Sequence, residues 1–213
     1  ASFTLHSGGA DGSDSVWDAI GEEYGIQSRN HYYYDHNRTT PVPIEKLPPK
    51  RNVLLTAAEY EEGRVQAAKA AKYNYGFSYD LIHDPLLARN WFQVKNADAI
   101  FAIGSIKNVG EVILSGNRTA AHPAVAGGTG YAVAMAILNN KPVHVFDQNL
   151  KQWFTWNGSA FVEESTPVLT PNFAGIGTRE ITADGVNAIR QVFENSKNTL
   201  VPVNTDLPKS KLS

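Results

Sequence analysis

The chain has 213 residues, 42% hydrophobic and 19% charged, a balance that suits one globular domain and excludes a disordered or fibrous chain. A formal net charge of −2 and a pI near 6.3 offer no basic field for a nucleic-acid backbone, so a polynucleotide partner is not expected. Cysteine is absent, which removes disulfides, thiolate metal sites and a thiol nucleophile, and no apolar run reaches the ~18–20 residues of a membrane span.

Phe3-Thr4-Leu5-His6 reads as a short strand running into Ser7-Gly8-Gly9-Ala10-Asp11-Gly12-Ser13-Asp14. Val16, Trp17, Ile20 and Tyr24 then share a helical face that Gly25 stops, so the chain opens as a strand–turn–helix unit. The opening residues are too short and uncharged for a signal peptide, and the expected location is the cytoplasm. Gln27–Arg51, with three tyrosines, two histidines and four prolines, has no period; an irregular insertion is expected at about 27–55. Its tyrosines pack on the body or stack on a ligand base, and its histidines lack the spacing of a metal site. Alanines and charges at helical spacing predict a helix from about Thr56 to Tyr73, opened by a Thr56/Glu59 capping box.

Asp84-Pro85 looks like a further helix start, and Ala99-Ile100-Phe101-Ala102-Ile103 reads as a buried parallel strand ending at Gly104-Ser105. Ala126-Gly127-Gly128-Thr129-Gly130 feeds a helix to Leu138. Val143-His144-Val145-Phe146 is a strand closed by Asp147, with His144 read as a satisfied core histidine. Trp153–Phe161 predicts a hairpin turning on Asn157-Gly158, its tryptophans serving packing or a subunit contact. Asn172-Phe173-Ala174 leads into Gly175-Ile176-Gly177-Thr178-Arg179-Glu180 and a helix from Ala183 to about Glu194; the tail after 195 reads as peripheral. The alternation predicts an α/β domain over 1–195: a three-layer, Rossmann-like open parallel sheet with helices on both faces.

Four apolar strands end on small, polar loops, and in such a sheet these gather at the carboxyl edge, where ligands bind. Glycine lets the backbone approach a ligand, and helix-start amides face a phosphate with the helix dipole behind them. The candidate phosphate and ligand residues are Ser7, Gly8, Gly9, Asp11, Gly12, Ser13, Asp14, Gly104, Ser105, Gly127, Gly128, Thr129, Gly130, Asp147, Gly177, Thr178, Arg179 and Glu180. The loops are neither a dinucleotide fingerprint nor a P-loop. Asp14 either caps the first helix or takes a ribose hydroxyl, and Asp147 either holds ribose or water or caps the next turn. Arg179-Glu180 offers a phosphate-binding guanidinium or a surface ion pair.

Ser7–Asp14 resembles the S-G-G-x-x-G-x-D opening of the SLOG superfamily, the Rossmann-like group that includes the "lonely guy" phosphoribohydrolases. The molybdenum carrier family within it is the most similar. It shares the Gly-Gly-Thr-Gly loop, the Lys141-Pro142 step before a strand ending in Asp147, and a final loop like Asn172-Phe173-Ala174-Gly175 with Arg179-Glu180. The likeness spans residues 3–20 and 90–195. With the strand-end loops, the expected partner is a nucleotide-like small molecule, bound by a sensor or sequestering protein, and no cofactor or metal is expected. Hydrolysis of a nucleotide-like substrate, with Asp11, Asp14, Asp147 or Glu180 as acid or base, is the alternative, and carriage of a molybdate-like oxyanion the third. The phosphoribohydrolases carry P-G-G-x-G-T-x-x-E; here Ala134 stands at the Glu position, so that activity does not carry over. A homo-oligomer is the remaining partner expectation.

Overall fold

A computed structural model describes residues 3–8, 11–33, 51–76, 85–114 and 116–200. β1 (Thr4–Ser7) leads into α1 (Ser13–Glu23), whose Trp17 is fully buried among Phe101, Phe173 and Phe193 at ring separations of 6.3, 6.4 and 5.9 Å. β2 (Ser28–Tyr33) and β3 (Arg51–Leu54) follow. Both lie inside the stretch expected to be irregular, and both are parallel strands of the main sheet. Hydrophobic period failed there because β2 buries polar groups. Arg29 Nε donates to Asp18 Oδ1 at 2.9 Å, and His31 Nε2 lies 3.3 Å from the same oxygen, with all three residues at most 3% exposed. Paired in this way, charge can occupy an inner sheet face that would otherwise need apolar side chains. Residues 34–50, with His36 and Tyr34, lie outside the described set, as do His83 and Asp84.

α2 (Ala57–Tyr75) begins at the expected capping box. Glu59 N–H donates to Thr56 Oγ1 at 3.1 Å, and Thr56 N–H to Glu59 Oε1 at 2.9 Å. Its small residues Ala67, Ala70 and Ala71 let it ride closely on α3 (Pro85–Asn96) and on α4 (Thr129–Leu138). β4 (Ala99–Gly104) is buried along its whole length. The next segment holds two small antiparallel pairs: β5 (Ile106–Lys107) with β8 (Ala124–Val125), and β6 (Val112–Leu114) with β7 (Arg118–Thr119). After α4 come β9 (Val143–Asp147) and the expected hairpin of β10 (Gln152–Trp156) and β11 (Phe161–Glu164). The chain continues through β12 (Asn172–Gly177) into α5 (Ala183–Leu200), which runs past the expected end and buries Ser196.

Among the described residues the main sheet has eight strands, in the order β11-β10-β9-β4-β12-β1-β2-β3. The six from β9 to β3 pair in parallel, and the β10–β11 hairpin adds an antiparallel edge. The protein is thus mixed α/β around a large, mostly parallel sheet. Side chains alternate along β4: Ile100 and Ala102 join an apolar cluster with α2, α3 and α4, while Ala99, Phe101 and Ile103 join another with α1 and α5. Lys141 Nζ closes the carboxyl end of α3, donating to Lys95 O at 2.8 Å and Ala97 O at 2.7 Å. Among the described residues no helix is long and apolar enough to cross a membrane.

Candidate ligand site

The carboxyl ends of β1, β4 and β12 bring three of the glycine loops to one edge of the sheet, and β9 adds Asp147. Ser7 ends β1 fully buried with Gly8 buried beside it, while Gly9 lies outside the described residues. Gly12 is the N-cap of α1 at φ 88°, and a Cβ there would stand 2.1 Å from Arg179 O. That close approach, which only glycine allows, joins the first loop to the last. Ser13 seals the joint, its N–H and hydroxyl both donating to Thr178 O at 3.1 and 2.6 Å. Thr178 N–H donates to Ile103 O at 2.9 Å, next to Gly177. These amides hold the loops together and are not presented to a ligand.

The N-cap is Gly12, not Asp14; Asp14 sits in the first turn, 7% exposed, at the positive end of the helix. Asp147 takes the second of its two sequence readings. Its Oδ2 accepts Ile106 N–H at 2.8 Å, and its Oδ1 accepts Asn149 N–H at 2.8 Å and Leu150 N–H at 2.9 Å. A 2%-exposed carboxylate committed to three amides is a turn cap that ties β9 to the chain leaving β4. Asp11, Arg179 and Glu180 are exposed at the rim. Among the described residues Arg179 and Glu180 make no ion pair with each other or with a neighbour. Gly104 O accepts Gln148 N–H at 3.0 Å, and Ser105 Oγ accepts Asn149 Nδ2 at 3.0 Å.

The middle loop divides into two parts. Gly127 N–H donates to Ile113 O at 2.7 Å and Gly130 N–H to Gly127 O at 3.1 Å. A Cβ on Gly130 would fall 1.9 Å from Val125 O, so that glycine serves the seating of α4 against β8. The expectation that all four amides face a ligand is corrected accordingly. Gly128 and Thr129 keep N–H groups without a carbonyl partner among the described residues, and Gly128 is exposed.

Two side chains that sequence reasoning did not select stand at the same edge. Arg89 and Gln93, one turn apart on α3, are 3% and 1% exposed. Arg89 Nη2 and Gln93 Nε2 lie 2.8 and 2.6 Å from where a Cβ on Gly8 would be. Gln93 Nε2 is buried with no hydrogen-bond partner among the described residues, a state that costs free energy unless something accepts from it. The same helix reaches the middle loop, where Asn90 Nδ2 donates to Gly128 O at 3.4 Å. The available signal was a polar pair at i, i+4 inside the apolar run from Leu86 to Val94.

His144 and the two hairpin tryptophans make structural contacts. His144 Nδ1 pairs with Glu164 at 2.6 Å, and its ring stacks on Phe101 at 4.9 Å. Trp153 packs edge-on against Phe146 at 5.6 Å, and Trp156 against Phe161 at 4.9 Å. Ala134 is buried in α4. Compared with protein-family models, with curated proteins and with solved structures, the chain matches none.

Proposed function

We propose that this is a three-layer, Rossmann-like protein of the SLOG type that binds a nucleotide or nucleotide-derived, phosphate-bearing small molecule as a sensor or sequestering protein. The observation that carries the reading is the buried Arg89–Gln93 pair at Gly8, with the unsatisfied Gln93 Nε2 beside it. A phosphoryl oxygen is the acceptor that such a donor and a neighbouring guanidinium suit. The Gly128 and Thr129 amides, at the start of α4 and in contact with α3 through Asn90, are the second set of donors for the anion. Binding without turnover is preferred because Asp147 is occupied as a cap and Ala134 carries no charge. Asp11, Asp14 and Glu180 remain for the hydrolase reading, Asp11 and Glu180 at the exposed rim and Asp14 in the first turn of α1. Nothing at the site favours molybdate over phosphate.

Native mass spectrometry of freshly purified protein, followed by calorimetric titration with orthophosphate, AMP, GMP and CMP, tests the proposal. Arg89→Met or Gln93→Leu is expected to weaken the best of these ligands about tenfold to a hundredfold, the cost of one charge-assisted hydrogen bond. Wild-type protein that carries no small molecule and binds none of the four would refute it.

A further inference from the structure

A second cavity, of about 530 Å³, opens between the β1–β2–β3 part of the sheet and the carboxyl half of α3. It is within the size range of small-molecule sites, and neither Arg89, Gln93 nor any glycine-loop residue lines it. Its floor is a directional chain of hydrogen bonds. Asn96 Nδ2 donates to Tyr32 Oη at 3.0 Å, Tyr32 Oη lies 2.9 Å from His6 Nδ1, and His6 Nε2 lies 3.0 Å from Asn172 Oδ1. Asn172 Oδ1 can only accept, so His6 Nε2 carries a proton, and in the neutral imidazole Nδ1 accepts from the Tyr32 hydroxyl. The imidazole ring lies nearly parallel to Tyr32, 6.0 Å away and tilted 15°.

The charged groups at the mouth are already engaged. Lys95 bridges to Glu62 at 2.8 Å, and Glu59 is held by the capping box. Among the described lining residues the charged groups are one of each sign, Glu59 and Lys95, so the lining presents no net charge to an ion. It does offer two neutral hydrogen-bonding atoms, Asn96 Oδ1 as acceptor and Asn172 Nδ2 as donor, neither bonded among the described residues. Phe92, Val53 and Leu55 supply apolar walls. Aromatic and aliphatic walls with a donor and an acceptor set apart suit a flat ring that carries both functions and no charge.

We propose that this cavity is a second binding site, for a neutral planar carboxamide or lactam. The test is a titration of isotopically labelled full-length protein, followed by NMR, with nicotinamide and uracil as probes and benzoate and orthophosphate as ionic controls. Nicotinamide or uracil is expected to shift the His6, Tyr32 and Phe92 signals saturably, while the two anions leave them in place. Asn96→Leu should weaken the probe about tenfold, the value of one neutral hydrogen bond, and Val53→Phe should abolish binding by filling the space. Asn96 is exposed, so its replacement tests the site even where the filling variant folds poorly. Absence of saturable shifts up to ~10 mM, weaker than any useful small-molecule affinity, would overturn the proposal. So would shifts that survive Asn96→Leu unchanged, or equal binding of benzoate.

Discussion

Replacing Asp147 by alanine separates a stabilising turn cap from a ligand group, because the two roles predict opposite readouts. Truncation leaves three N–H donors, those of Ile106, Asn149 and Leu150, without their acceptor. The Ile106 bond joins two strand ends in a part-buried setting, and its loss costs about 2 kcal/mol. The Asn149 and Leu150 amides lie in a turn that water reaches, so each adds about 0.5 kcal/mol. The sum is about 3 kcal/mol, or about 6–12 °C in Tm for a domain of this size. Asp147→Asn keeps one acceptor oxygen for the turn but faces Ile106 N–H with an amide, and about two-thirds of the loss is expected. Thermal and urea unfolding measure both variants, and AMP titration at a temperature where each is folded measures binding. A loss below about 1 kcal/mol, combined with tenfold weaker AMP binding, would refute the reasoning and return Asp147 to the ligand site.

Two neighbouring glycines should behave differently. Gly130→Ala, with its Cβ 1.9 Å from a carbonyl oxygen, is expected to cost more than ~3 kcal/mol or prevent folding, as overpacking does at its worst. Gly128→Ala, with φ −63° and its nearest neighbour at 3.7 Å, should leave urea stability within ~0.5 kcal/mol and lower AMP affinity. Lys141→Met should cost about 1 kcal/mol in urea unfolding by uncapping the last carbonyls of α3. Incubation with AMP, GMP and CMP should release no free base by chromatography, since N-glycosidic cleavage needs a carboxylate near the sugar and Ala134 supplies none. Multiple turnover would mean that Asp11, Asp14 or Glu180 does that work.

Elements whose side chains follow one simple period were legible in the sequence. β4 is apolar on both faces, α2 announces itself by Thr56 and Glu59, and the hairpin follows from Asn157-Gly158 between aromatic runs. β2 was not legible, because Arg29 and His31 look like surface residues until Asp18, a turn and a half into α1, is placed against them. The site divided in the same way. That glycine loops gather at the sheet edge follows from the alternation of strands and helices. Which glycines face a ligand and which face protein does not, since Gly12 and Gly130 are required by carbonyls far away in sequence or hidden by the fold. Arg89 and Gln93 became candidates only once α3 was laid against Gly8, a contact between residues about 80 apart.

The strand order has a consequence for how the molecule is made. β12 lies between β1 and β4, yet every other strand of the sheet precedes it in the chain. During vectorial synthesis the β1–β2–β3 block and the β4–β9–β10–β11 block emerge with open edges facing each other, and neither edge is satisfied until residues 172–177 arrive. A ribosome paused before Asn172 thus holds two half-sheets that invite pairing with strangers, the condition under which a trigger chaperone has most to do. The same lateness reaches the first helix. Ser13 is anchored to the carbonyl of Thr178, so the amino end of α1, made long before β12, stays untethered until that strand is seated.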